Sequence, residues 1–243
     1  VALARYNPDG SPDTSFGADG KVAAAPGGYG YSVGEDLLLL PGGSYLVAGY
    51  TYTEYSTGKF DFSLAYFTDS GSLANADFTD FAGDNDVGLA VTLQGDDNFL
   101  VAGYTQGTTG DDIALAAYNV WGGLDTSFGI DGKLVIDIAG GHDVAYAVVA
   151  RAGGPLVVVG KTNKPAFDFS LAQVTADGIL DSSFSGDGIQ LTNFAGSTDR
   201  GYAAALQLDG RLVVAGLYFG DRIDFGLARF NLDGSLDTAF GGD

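Results

Sequence analysis

The 243-residue sequence contains no cysteine and no methionine, one histidine, one tryptophan and six prolines. Without cysteine there is no disulfide framework, no thiolate metal site and no cysteine nucleophile. Positive charge is scarce as well. Eleven Lys and Arg face 31 Asp and Glu, a net charge of −20, so nucleic-acid phosphates and anionic membranes are poor partners and cations are better ones. Only Glu35 and Glu54 among the acids are Glu; with so little Glu and Lys and no Met, the usual residues of exposed helices are missing and helix should be rare. Long apolar runs are also lacking. Leu37 to Leu40, closed by Pro41, falls far short of the roughly 20 residues a membrane helix needs, so no membrane insertion is expected. Neither a Gly-x-Ser-x-Gly elbow nor a phosphate-binding Gly-rich loop with Lys occurs.

What the chain has in quantity is 39 glycines, 13 tyrosines and 16 phenylalanines, which fit short strands joined by tight turns. It also repeats itself. LARYNPDGSPDTSFGADGKV from Leu3 recurs as LAYFTDSGSLANADF from Leu64, LAAYNVWGGLDTSFGIDGKL from Leu115, LAQVTADGILDSSFSGDG from Leu171 and LARFNLDGSLDTAFGGD from Leu227. LVAG or its variants VVVG and VVAG keep step, ending at Gly49, Gly103, Gly160 and Gly216. Each period of about 56 residues holds four strand-like runs, lettered D, A, B and C from the Gly-Lys-Val run; in the third period these are 132–137, 144–150, 156–160 and 169–174. Gly-Gly, Gly-Asp-Asp or Asp-Gly between A and B marks a hairpin. Four antiparallel strands per repeat without helices predict an all-β fold, a β-propeller of about four to five four-stranded blades. A β-solenoid is the competing architecture, but its coils are shorter. The whole of 1–243 reads as one repeat domain, a segment of a longer chain. Grouped from D to C, the strands make four complete blades from about Gly20 to Asn231, with residues 2–7 left as an unpaired C strand. A five-bladed ring sharing its terminal elements is the alternative.

The Asp-Gly turn, Leu-Asp-Thr-Ser-Phe-Gly, Asp-Gly-Lys-Val and Val-Val-Ala-Gly together resemble the delta-60 repeat family of bacterial secreted and surface proteins. The resemblance covers nearly the whole chain, and only ANADF (74–78), in place of LDTSF, departs from it. It implies a non-catalytic propeller-like module, extracellular or at the cell surface, and supplies no active-site residues.

Two sets of Asp keep the period. Asp61, Asp112, Asp168 and Asp224 precede strand C; Asp86, Asp143 and Asp199 precede strand A. Because successive strands are antiparallel, the D-to-A and B-to-C connections share a face, and the seven Asp should ring it. Calcium is the cofactor such a ring would hold; the alternative is that each Asp accepts backbone N–H groups at its strand start. On the opposite face Asn7, Asp9, Ser11 and Asp13, and Asn231, Asp233, Ser235 and Asp237, alternate like the start of a calcium loop, but Pro12 and Leu236 stand where that loop needs glycine. Turn chemistry fits better, with Asp13, Asp125, Asp181 and Asp237 capping and Phe16, Phe78, Phe128, Phe184 and Phe240 as buried anchors.

The B-to-C loops break the repeat. They carry Tyr50, Tyr52, Tyr55, Tyr104, Tyr218 and Phe219, with Lys161, Lys164 and Arg222 among the few cations. Aromatics beside carboxylates suit a sugar ring or a protein loop, so the expected partner is a protein or glycan at an extracellular surface; ordinary loop packing is the alternative. The lone His142 stands in a variable loop, and equal repeats argue against the unequal acid and base an enzyme needs. A non-catalytic binding or assembly module is therefore the leading expectation, and a Ca²⁺-dependent lectin or glycoside hydrolase on the same scaffold the alternative. Terminal edge strands add possible self-association.

Overall fold

A computed structural model describes all residues except 29, 55–57, 82–84, 96–97, 164–167, 195–197, 221 and 242–243, and of Glu54 only the backbone. The described residues form strands, turns and bends, with no helix. In order the strands are β1 (Ala2–Ala4), β2 (Lys21–Ala23), β3 (Ser32–Leu39), β4 (Tyr45–Glu54), β5 (Lys59–Phe67), β6 (Leu73–Thr79), β7 (Asp86–Gln94), β8 (Asn98–Gln106), β9 (Asp111–Tyr118), β10 (Lys133–Ile136), β11 (Val144–Ala150), β12 (Leu156–Thr162), β13 (Asp168–Val174), β14 (Ile189–Thr192), β15 (Thr198–Leu206), β16 (Leu212–Phe219) and β17 (Ile223–Phe230).

These pair as three four-stranded antiparallel sheets (β3–β6, β7–β10, β11–β14), one three-stranded sheet (β15–β17) and one two-stranded sheet (β1–β2). Each D strand pairs with the C strand before it, so every blade reads A-B-C-D rather than D-A-B-C. The count from sequence is corrected accordingly: three blades are complete, not four, and residues 2–4 are not an unpaired strand but pair with Lys21–Ala23. The reason is local. The C-to-D connection turns back on itself, whereas the D-to-A connection crosses to the next blade.

Apolar residues on the two faces of each sheet build the core between successive blades. Leu46, Ala48, Phe62 and Leu64 of the first blade meet Val91, Phe99, Val101 and Ala114 of the second. Leu100, Ile113 and Leu115 meet Ala145, Val148 and Val158 in the next junction, and Val157, Val159, Phe169 and Leu171 meet Leu212, Val214 and Ala228 in the third. Such strands are buried on both faces and read as near-continuous apolar runs. Val1, Leu3 and Val22 of the half-blade cover Val47, Ala65 and Phe67.

Every A strand carries a β-bulge, at Gly34/Asp36, Gly88/Ala90, Ala145/Ala147 and Gly201/Ala203. The bulge explains the invariant glycine of the LVAG run. A Cβ on Gly160 would stand 1.8 Å from the Val144 carbonyl oxygen, and one on Gly103 1.9 Å from that of Val87. The extra residues Glu35, Leu89, Tyr146 and Tyr202 line one groove of about 340 Å³ between the four A strands, which are therefore innermost.

At the rim the anchors behave as expected in three copies. Phe16, Phe128 and Phe184 are buried, each in contact with a glycine of the next blade's turn: Gly71, Gly178 and Gly234. Backbone bonds Gly17 N–H to Ser70 O (2.9 Å), Gly129 N–H to Asp177 O (2.8 Å) and Ser185 N–H to Asp233 O (2.7 Å) complete these links. Phe78 is a correction: it is 40% exposed because it lies in β6 opposite Ser63, as Val135 lies opposite Ala114 and Leu191 opposite Ser170. ANADF is a strand where the other copies have a turn. That blade lacks the turn insertion, so the following turn receives no phenylalanine and Trp121 stands 88% exposed.

Candidate functional site: the acidic junctions between blades

The A, B and C strands bring three positions side by side. Asp86, Thr105 and Asp112 are cross-strand neighbours, and Thr162 faces Asp168 in the next blade, with Asp143 just ahead of β11. The carboxylates do not form an even ring, however. They gather across the blade-to-blade junctions, each with a residue from the end of the intervening D strand. Oxygens of Asp61, Asp80 and Asp86 lie within 4.8 Å of one another, as do those of Asp112, Asp137 and Asp143. In the third junction the D-strand residue is Asn193, whose Nδ2 donates to Asp168 Oδ1 at 2.6 Å, and Asp199 completes the set.

The backbone-capping reading holds for half of each A-strand carboxylate. Asp86 Oδ2 accepts the Phe81 N–H (2.7 Å), Asp143 Oδ2 that of Ile138 (2.6 Å) and Asp199 Oδ2 that of Phe194 (2.8 Å). The second oxygen of each, Oδ1, is buried and accepts no hydrogen bond, and Asp112 Oδ1 is in the same state. Asp137 Oδ1 accepts the Gly140 N–H at 2.5 Å, and Asp61 bonds the Thr53 hydroxyl. Burial pushes Asp86 up to about 6, with Asp80 and Asp61 raising it further. The same cause raises Asp112, beside Asp137 and Asp111, and Asp143, beside Asp137 and Asp112. These are carboxylates buried and crowded against one another; the Thr105 and Thr162 hydroxyls and one backbone N–H apiece oppose the rise at Asp86 and Asp143. All are hard oxygen ligands, the set that suits calcium.

Asp80 and Asp137 were not among the residues singled out by sequence, although a signal exists. DFAGDND (80–86), DIAGGHD (137–143) and NFAGSTD (193–199) share an acid or amide six residues before the A-strand Asp. Asp224, on the last C strand, is exposed.

A family model for a β-propeller domain of unknown function (DUF5122) matches residues 1–16 and 207–240, the first and last copies of the turn motif. The fold is that of propeller blades. No curated protein matches the chain.

The loop aromatics of this propeller do not converge on one cleft. Tyr50 and Tyr52 pack with Tyr31 and Phe60 on the first blade, Tyr52 stacking on Phe60 at 4.4 Å between centroids. Tyr104 is half-buried, its hydroxyl pushed up by burial and by Asp111. Lys161 is lowered by burial and then by Arg200. Tyr218 stacks on Phe194 (6.1 Å), while Phe219 at the end of β16 and Arg222 just before β17 are exposed. Tyr55 and Lys164 lie outside the described residues. His142 Nδ1 sits 3.1 Å from Asp111 Oδ2. The calcium-loop pattern of the rim is turn chemistry: Asp9 Oδ1 accepts the Ser11 N–H and hydroxyl, and Asp233 does the same with Ser235.

Proposed function

We propose that this protein is a non-catalytic propeller module of the delta-60 type, working at a cell surface or outside the cell, whose function is assembly by docking blade on blade. One observation carries the reading. Phe225 is 90% and Leu227 55% exposed on β17, whereas the residues at the same register in the inner blades, Phe62 and Leu64, Ile113 and Leu115, and Phe169 and Leu171, are all buried against the following blade. With Tyr202, Ala215 and Ile223, Phe225 lines an apolar depression of about 450 Å³. Exposed apolar area of this kind marks an interaction site.

The complementary half-junction is on the same molecule. Leu37 (47% exposed) and Leu39 (60%) on β3 occupy the register of Val91 and Leu93, which in β7 pack on the preceding blade. The chain's own half-blade covers Val47, Ala65 and Phe67 on that side and leaves Leu37 and Leu39 open; the occupant we assign to the β17 face is this open β3 edge of a second copy, a head-to-tail contact. Light scattering and sedimentation from 1 µM to 1 mM test it. Mass should rise with concentration, and Phe225→Asp with Leu227→Asp should hold the chain at monomer mass; a wild-type chain that stays monomeric throughout would overturn the reading.

The loop aromatics remain the route by which such an assembly would contact a protein or glycan. A lectin or hydrolase reading has less support, because those side chains are spread over separate blades.

A further inference from the structure

We propose that Asp61, Asp80 and Asp86 hold one Ca²⁺, that Asp112, Asp137 and Asp143 hold a second, and that these ions tie the first blade to the second and the second to the third. This inference stands apart from the docking reading. It begins with the placement: in each cluster two carboxylates come from one blade and the third from the blade that follows, so anything bound there spans a junction. Ca–O distances of about 2.3–2.6 Å allow two oxygens on one ion to stand up to roughly 5 Å apart, and the spacing within 4.8 Å meets that limit without movement.

The independent sign is the unused acceptor. Asp86 and Asp143 are fully buried, and Oδ1 of each has no hydrogen-bond donor although Oδ2 is satisfied by backbone. Asp112 Oδ1, across the second junction from Asp143, is equally without a donor. Buried acceptors are normally paired; the Thr105 and Thr162 hydroxyls stand beside Asp86 and Asp143, and further carboxylates crowd the same sites. A cation is the partner that satisfies several such oxygens at once.

The third junction serves as the molecule's own control. There the D-strand position is Asn193, and its amide donates to Asp168. One carboxylate has been exchanged for a donor, so although Asp199 Oδ1 is also without a donor, three carboxylates no longer converge there and charge is relieved from within the protein. Two cation sites among the described residues follow, not three.

Calorimetric titration of Ca²⁺ into the 243-residue chain, after stripping with chelator, tests the count. Two equivalents should bind, with Kd in the range of about 0.1–1 mM typical of extracellular modules. Asp80→Asn and Asp137→Asn should each remove one equivalent, and the double variant both. Asn at this position already occurs in the third junction, so these chains should fold. Asn193→Asp should raise the count to three. In thermal melts, 5 mM Ca²⁺ should raise the midpoint of the wild type and leave the double variant unmoved. No saturable binding at 10 mM, or two equivalents retained in the double variant, overturns the proposal and leaves protonation of the crowded carboxylates as their means of relief.

Discussion

Asp13, Asp125, Asp181 and Asp237 show how one residue type does a fixed job with changing partners. Oδ1 accepts the backbone N–H two residues on in all four, at 2.9–3.1 Å. The other oxygen takes whatever donor the copy offers: Arg5, Asn98, Gln173, or Arg211 with Arg229. The Ser183 hydroxyl, then the Gln173 amide and the Ser183 N–H, hold Asp181 below the ordinary carboxylate range. A depressed folded value means stability that is complete above the unfolded value near 4 and lost as pH falls through the folded one. Asp181→Ala should therefore cost about 1 kcal/mol at neutral pH, with the gap to wild type closing below about pH 4. Urea titrations at pH 7 and pH 3 give the comparison; a gap at pH 3 undiminished from that at pH 7 would tie the loss to something other than the ionised carboxylate. Phe184 beside it is fully buried, and Phe184→Ala should cost roughly 3–5 kcal/mol. Phe78→Ala, on an exposed strand face, should cost well under 1 kcal/mol by the same assay. Equal costs would restore the reading of Phe78 as an anchor.

At the level of strands, the sequence was readable where a residue's neighbours in space repeat its neighbours in sequence. β11 to β13 fall within a residue or two of the runs expected from period and composition, because alternation and Gly-Gly turns are local signals. Two things were not local. Which C strand a D strand joins depends on the closure of the C-to-D turn, and the motif from Leu64 could be aligned on LDTSF only by ignoring that fourteen residues, not twenty, separate Leu64 from the strand position of Phe78. The acidic sites show the same limit. Asp61 and Asp86 were visible as periodic residues, yet their grouping with Asp80 requires knowing that A of one blade lies against C and D of the blade before. The glycine of LVAG was legible as a repeat but not as a necessity, since the bulge that demands it lies on the partner strand. Gly160→Ala should destabilise by at least the ~1–3 kcal/mol of overpacking, because the atom it would meet is backbone carbonyl and not a movable side chain. A shift of the urea midpoint worth less than 1 kcal/mol would show that β11 can retreat freely.

The molecule as a whole is a row of sheets in which each blade is stabilised by the two beside it, so its stability should be graded rather than uniform. β8, β9, β12 and β13 are covered on both faces, while β17 has one covered face and an edge without a partner among the described strands. Amide hydrogen exchange should follow that gradient: slowest in β9 and β13, faster in β17 and in the short β1–β2 pair. The docking of a second copy adds a term that only the end blade feels. If the β3 face of one chain covers Phe225 and Leu227 of another, protection of β17 amides should increase between 5 µM and 500 µM protein while β9 and β13, whose opening already requires losing two junctions, stay unchanged. Phe225→Asp should abolish the concentration dependence without altering the inner strands. A uniform rise across all blades would instead mean that the row opens as a single unit, and that its ends are no weaker than its middle.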